Sequence, residues 1–398
     1  MVVDVLVVGA GPAGIAAALT AQEHGLRTLV VDKATFPRDK TCGDGLTARA
    51  LRVLERLGVE VPMLDGALRV DETILVSPSG RHVTLPMPDG GVHSAVVPRR
   101  ALDAALVAHA STRGVEIREG TALTGLTADG ATLRARIGDV DVGARHVVAA
   151  DGHWSAVRRL RTTEAAAPDL GTWHAFRQYF TDVDDARQWV LFEEDLLPGY
   201  AWIFPLPGGR ANVGFGVLRG PGITGKHLKS VWADLVARPA VRAVLSPRAK
   251  PEDTHRAWPI PAAFDAARLT DERILYIGDA AGVVDPMTGE GIAQALDTGV
   301  LAAESIARGG DVDRVARRYS RAVEESLGRD LRFAAALQRV LRRPLGARAA
   351  ICAAGLTPWT RRNFARWMFE DYPRALALTP GRWQRGALTG TGAFAGWP

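Results

Sequence analysis

The sequence predicts an α/β fold: a lobe built on a parallel sheet, a second lobe of β-sheet inserted into it, and a C-terminal helical segment. Three observations predict it. An apolar, β-branched run at Val2–Val8 leads into glycines and then an alanine-rich stretch. Apolar runs ending in acid and glycine recur at Val147–Gly152 and Ile274–Gly282. The segments between are richer in Thr, Val, aromatic residues and turn dipeptides, as strands and hairpins require. Strand, glycine turn and helix in that order describe a parallel sheet whose strand ends meet a ligand.

The first unit is the most specific. Val2–Val8 reads as a buried parallel strand, Gly9-Ala10-Gly11-Pro12-Ala13-Gly14 as the turn, and Ile15–His24 as a helix closed by Gly25. A second strand, Arg27–Val31, ends at Asp32. Gly9 makes the tight turn, Gly11 lets the backbone approach a pyrophosphate, and Gly14 lets helix and strand pack closely. The helix N-terminus offers its free N–H groups to phosphates, and Asp32 can accept from a ribose hydroxyl. This is a Rossmann-like dinucleotide unit, which by itself leaves NAD and FAD both open.

The later motifs narrow that choice. Val147-Val148-Ala149-Ala150-Asp151-Gly152 is followed by Ser155, Val157 and Arg158. Ile274-Leu275-Tyr276-Ile277 runs into Gly278-Asp279-Ala280-Ala281-Gly282, then Asp285-Pro286-Met287-Thr288-Gly289-Glu290-Gly291-Ile292 and an alanine-rich helix. With these motifs in this order the chain resembles the para-hydroxybenzoate-hydroxylase-like flavoproteins, and the cofactor implied is FAD. The resemblance implies that Asp279 bonds the ribityl chain and that the turn from Pro286 through Gly289 and Gly291 to Ile292 lies against the isoalloxazine. It also implies that Arg99, in Val97-Pro98-Arg99-Arg100, starts an interior helix and reaches toward the cofactor. No second strand–GxGxxG–helix unit occurs, although Gly-x-Gly recurs at Gly43, Gly214, Gly220 and Gly390. Reductant must therefore come from a transient donor, NAD(P)H or another electron carrier.

Two further segments resemble the geranylgeranyl reductase family: Phe36-Pro37-Arg38-Asp39-Lys40-Thr41-Cys42-Gly43-Asp44-Gly45 and Pro198-Gly199-Tyr200-Ala201-Trp202-Ile203-Phe204-Pro205. The likeness spans nearly the whole chain, and is nearest to actinobacterial members that reduce the menaquinone side chain. It implies an FAD-dependent oxidoreductase that saturates isoprenoid double bonds by hydride from reduced flavin. The family's cysteine-glycine loop maps to Cys42 and Gly43, and its aromatic substrate segment to Tyr200, Trp202, Phe204 and Pro205. Pro198 stands two residues before Tyr200 where the family's pattern has three, so the loop entering that strand is altered.

Read from the residues alone, Tyr200, Trp202 and Phe204 alternate at strand period and make one aromatic face, either a wall for an apolar substrate or ordinary core. Cys42 is either a small buried hydrophobe or a group beside the cofactor, and Lys40 would lower its pKa if close enough. Cys42, Tyr200 and Trp202 are the catalytic candidates; Cys42, Tyr200 and a water are open as proton donors. Lys40, Cys42 and Gly43 join the glycines as cofactor-binding candidates.

Three alternatives share this fold. A flavin-dependent monooxygenase of secondary metabolism is one. A halogenase-like enzyme is disfavoured, because no lysine occurs between Lys40 and Lys226 and Tyr200 replaces the first tryptophan of a WxWxIP stretch. A non-catalytic flavin-binding protein is the third.

The expected FAD-binding lobe comprises 1–68, 98–162 and 271–328, the β-sheet substrate lobe 69–97 and 163–270, and the helical region 329–398. Asn212–Gly216 is expected to pair back on Tyr200–Pro205 across Pro207-Gly208-Gly209. Tail periodicity runs through Leu331, Ala334, Leu337, Val340 and Leu341, is broken by Pro344, and resumes around Ala349 and Arg361.

The chain has 398 residues and a net charge of +5, but from Leu331 onward eleven arginines face only Glu370 and Asp371. This basic, tryptophan-bearing tail is read as a solvated helical surface or as peripheral contact with an anionic membrane face, where an apolar or lipid substrate would reside. Two distant cysteines, Cys42 and Cys352, suit a reducing compartment, and no apolar run is long enough to span a bilayer. The expected location is cytoplasmic, or peripheral at the inner membrane face. HExxH and GxSxG are missing and the nine histidines are scattered, so neither a metal site nor a hydrolase is expected, and no nucleic acid.

Overall fold

The computed structural model describes residues 1–87, 91–162, 171–220, 222–379 and 388–389; the end of the expected helical region, with Gly390, lies outside them. The first sheet has at its centre the strand Val2–Val8, which pairs in parallel with Thr28–Val31 on one side and Val140–Ala149 on the other. Glu116–Arg118 and Ile274–Tyr276 extend the parallel run outward. The antiparallel hairpin Leu123–Asp129 and Thr132–Ile137 folds back on Val140–Ala149. Central strands buried on both faces explain the unbroken apolar runs.

Two alanine-rich helices cover the sheet next to the glycine turn, Pro12–Glu23 and Ile292–Ala307. Small side chains let them approach until a Cβ at Gly299 would lie 2.3 Å from the Ala13 carbonyl oxygen. The first helix starts at Pro12 rather than Ile15, because proline suits a first-turn position whose N–H has no partner to lose.

The second sheet runs, in order, Lys250–Pro251, Trp173–Thr181, Arg210–Leu218, Tyr200–Leu206, Gln188–Leu191, Thr73–Val76 and His82–Leu85. Tyr200 pairs with Gly216 and Phe204 with Asn212, the hairpin expected across the Gly208–Gly209 turn. Gly214 is required there: a Cβ on it would fall 2.3 Å from Cζ2 of Trp202. A small third sheet, Gly45–Thr47, Leu68–Arg69 and Ser94–Val96, draws strands from both sides of the expected boundary at 68.

Beyond 328 the chain stays helical through Arg329–Leu341, Pro344–Ala354 and Pro358–Met368. Pro344 opens a helix, so the periodicity resumes there and not around Ala349. The last of these helices returns to the Gln188–Leu191 and His82–Leu85 side of the second sheet, where Ile351, Ala365 and Phe369 share a core with Leu75, Val83 and Val190. Among the described residues no helix is long and apolar enough to cross a membrane.

Candidate cofactor and substrate site

Parallel register brings the motifs to one sheet edge. Val8 sits opposite Val31 and Ala149, and Ala149 opposite Tyr276, so Gly9, Asp32, Asp151 and Asp279 all follow strands that end together. Gly9 adopts φ +107°, and a Cβ there would lie 2.3 Å from the Ala150 carbonyl oxygen. Gly14 is as crowded, 1.8 Å from the Gly9 oxygen. Above Gly11 the nearest atom is Arg38 Nη2 at 3.5 Å, leaving backbone open for a ligand phosphate. Asp32 accepts from the N–H groups of Ala10 at 2.7 Å and Ala34 at 2.8 Å, so the acid expected to face a ribose also holds the glycine turn.

Between this edge and the second sheet lies a cleft lined by Pro12, Lys40, Cys42, Gly43, Arg99 and Asp279. Tyr200, Trp202 and Phe204 of one strand face, with Gly289, Gly291 and Ile292, line it as well. The glycines Gly9, Gly11 and Gly14 and Asp32 belong to the sheet edge and are not among the residues lining the cleft. Pro286 does not line it, and its carbonyl accepts from Gln338 Nε2 at 2.7 Å.

Lys40 is not the thiol's activating neighbour. Its ammonium lies 2.8 Å from Asp279 Oδ2. Burial pushes the Cys42 thiol up against the pull of Arg99, which leaves it a thiol at neutral pH. Burial would also raise Asp279, but Lys40 and, further off, Arg99 and His153 hold that carboxyl below the usual carboxylate range. Arg99 begins the helix Arg99–Thr112 as expected, yet its guanidinium forks onto Asp103 with both bonds at 2.8 Å. Arg38 Nη1 also lies 2.9 Å from Asp103 Oδ2, so one carboxylate serves two guanidinium groups where Arg99 meets the cleft.

Residues the sequence did not single out hold the cysteine loop. Asp44, fully buried, accepts from Tyr179 Oη at 2.6 Å, Asn212 Nδ2 at 2.8 Å and the Arg99 N–H at 3.1 Å. Asn212 Nδ2 also donates to the Cys42 carbonyl at 2.8 Å, and its Oδ1 accepts from Trp202 Nε1 at 3.0 Å. Trp202 is thereby fixed beside Gly43, where a Cβ would sit 3.5 Å from the indole. Only adjacence to Cys42 and Gly43 could have flagged Asp44; Asn212 carried no signal beyond its strand.

The turn after Asp285 is clamped from the C-terminal region. Arg374 Nε lies 3.2 Å from Asp285 Oδ2, and its Nη2 is 3.8 Å from Glu370 Oε1. Tyr200 Oη donates to the Thr288 carbonyl, and burial raises its pKa. That hydroxyl proton is committed. Glu290 follows in the same turn and lines the cleft.

A dinucleotide-fitting glycine edge, an acid-lysine pair and a glycine-rich turn around one cleft define a flavoprotein oxidoreductase. Residues 2–309 match the FAD binding domain family, and the chain belongs to it. It is 36% identical over 335 residues to a menaquinone reductase of Mycolicibacterium smegmatis, covering 78% of each chain. It is 30% identical over 346 residues to a digeranylgeranylglycerophospholipid reductase of Methanosarcina mazei, covering 82% of each. A geranylgeranyl bacteriochlorophyll reductase-like structure from Thermoplasma acidophilum shares the fold at TM-score 0.78 and 22% identity, over 96% of this chain and 99% of that one. The chain is thus an FAD-dependent oxidoreductase of the geranylgeranyl reductase type.

Proposed function

We propose that this enzyme saturates carbon–carbon double bonds in the prenyl chain of a quinone or lipid. One observation carries the reading. Behind the cofactor cleft, sharing Gly45, Tyr200, Phe204, Met287, Thr288 and Glu290 as a common wall, lies a second cavity. Its far side is apolar, built by Leu337, Leu341, Ile351, Phe364, Trp367 and Phe369. An uncharged hydrocarbon chain matches such a lining, and the names of the relatives above agree with it.

Bound FAD supplies the hydride once reduced. Gly11 and the Pro12 helix terminus would hold its pyrophosphate, Lys40 and Asp279 its ribityl side, and Gly289 to Ile292 its ring. The chain's other contribution is placement. Trp202, fixed by Asn212, and Tyr200, fixed by Thr288, form a rigid aromatic face that orients an alkene and keeps water away. The reductant is NAD(P)H or another carrier that reaches the flavin transiently.

The substrate's location suggests the partner. Val340, Leu345 and Trp359 on the helices that wall the apolar cavity, and Leu356 in the turn between the last two, are exposed, with Arg339, Arg342 and Arg343 exposed beside the first two. Apolar tips among arginines suit an anionic membrane surface, from which a polyprenyl chain could enter.

The test is to mix reduced enzyme with polyprenyl quinone and follow product mass. Gain of two hydrogens per reduced bond supports saturation. Gain of an oxygen atom, with a flavin–oxygen adduct in the spectrum, would replace it with the monooxygenase reading.

A further inference from the structure

We propose that Glu290, set in the wall between the cofactor cleft and the apolar cavity, delivers the proton to the alkene carbon beside the one that receives hydride. This rests on the reductase reading above. A saturating enzyme must supply a proton as well as a hydride, in a place where the substrate's own surroundings are apolar. Of the residues shared by the two cavities, only Tyr200 and Glu290 carry a proton acidic enough to give. Tyr200 donates its own to the Thr288 carbonyl. Cys42 lines the cofactor cleft but not the apolar cavity.

Glu290 is built for the role. Oε1 accepts from the N–H groups of Ile292 at 2.9 Å and Ala293 at 3.1 Å, at the start of the helix Ile292–Ala307. Those bonds fix the carboxyl while Oε2 has no hydrogen-bond partner among the described residues. The groups around it are Tyr200 from the aromatic strand, Cys42 from its loop, Asp285 from the same turn, and Glu370 and Arg374 from the C-terminal region. Arg374 is shared between Asp285 and Glu370, so its charge reaches Glu290 weakened. Burial first, and then the Glu370 charge, push the Glu290 carboxyl up to about 8, against the two N–H donors and Arg374. The group keeps its proton at neutral pH.

The step balances. Hydride from reduced flavin forms one C–H bond as the π bond is lost. The carboxyl O–H bond breaks as the second C–H bond forms on the neighbouring carbon. Flavin is left oxidised, and the carboxylate regains its proton from water.

The decisive comparison uses FAD-loaded wild type, Glu290→Gln and Glu290→Asp with a polyprenyl quinone. Glu290→Gln keeps an oxygen for the two N–H groups but has no acidic proton. Its saturation step should slow about a hundredfold, with FAD content and flavin reduction by the donor unchanged. Wild-type kcat should fall as pH rises through about 8, a limb kept by Glu290→Asp and lost in Glu290→Gln. Independently of turnover, infrared spectra of wild type should show a protonated carboxyl band that titrates near that pH and is missing from Glu290→Gln. Saturation by Glu290→Gln at the wild-type rate, or no such band, overturns the proposal alone. A wild type that never saturates the substrate, yet shows the band, overturns the reductase reading and removes this role with it.

Discussion

Lys40 Nζ and Asp279 Oδ2 lie 2.8 Å apart, joining two loops separated by 239 positions in the chain. One follows the first strand–helix–strand unit and the other ends the strand Ile274–Tyr276. The pair keeps Asp279 ionised where the cofactor's hydroxyls are expected. Replacing Lys40 with Met leaves that carboxylate without its cation, and burial then drives it toward the neutral acid. FAD affinity should drop about tenfold, read by flavin fluorescence titration, while Lys40→Arg should recover most of it.

Asn212 serves two sides of the cleft, the Trp202 indole and the Cys42 carbonyl. Asn212→Leu keeps the volume but leaves buried polar groups unpaired, including an oxygen of Asp44. A stability loss of about 2–4 kcal/mol is expected, from the desolvation each orphaned group then carries. Denaturant unfolding measures it, and a midpoint equal to wild type would refute the network.

Asp44 sets a pH dependence of its own. Three donors favour its carboxylate, yet burial outweighs them and raises it to about 6. The folded protein therefore holds this proton more tightly than the unfolded chain does. The resulting stabilisation is full below about pH 4, the unfolded value, and is lost as pH rises through the folded one. The stability difference between wild type and Asp44→Asn should shrink by roughly 3 kcal/mol across that window. Thermal unfolding of both proteins at a series of pH values gives the curve; a constant difference would contradict it.

Ala350 lines the apolar cavity from the helix Pro344–Ala354. Ala350→Trp fills that space without touching the glycine edge. Turnover of long prenyl chains should fall at least tenfold relative to short ones, with FAD content intact, as competition assays with chains of graded length would show. Equal loss for all lengths would place the chain elsewhere.

Leu345 and Trp359 are 77% and 53% exposed. If they enter a membrane interface, Leu345→Ser with Trp359→Ser should weaken binding to anionic vesicles by about 2–4 kcal/mol, and salt should weaken it further. Flotation of the wild type and the double variant decides it. An intact protein that stays unbound at low salt removes the membrane partner.

The dinucleotide edge was legible in the sequence because its demands are local. Gly9, Gly11 and Gly14 answer to backbone geometry within one turn, and apolar strands buried on both faces leave unbroken runs such as Val2–Val8. The alternation of Tyr200, Trp202 and Phe204 was equally plain, since a strand puts every second residue on one face. What those residues touch was not. Lys40 could have met Cys42 as easily as Asp279, and a separation of that kind is decided by loop paths that no local pattern encodes. Asp44, Asn212 and Glu290 are ordinary polar residues in the chain. They become significant only when folding removes water around them: burial and distant neighbours, Glu370 for Glu290 and Tyr179 for Asp44, set the protonation of the two carboxyls, and Asn212 gains Trp202, Cys42 and Asp44 as partners. The primary structure alone determined the cofactor's cradle through steric rules of short range. The tertiary structure alone decided which carboxyls burial pushes upward, Glu290 and Asp44 among them, since electrostatics in a dry interior depends on groups brought together from far along the chain.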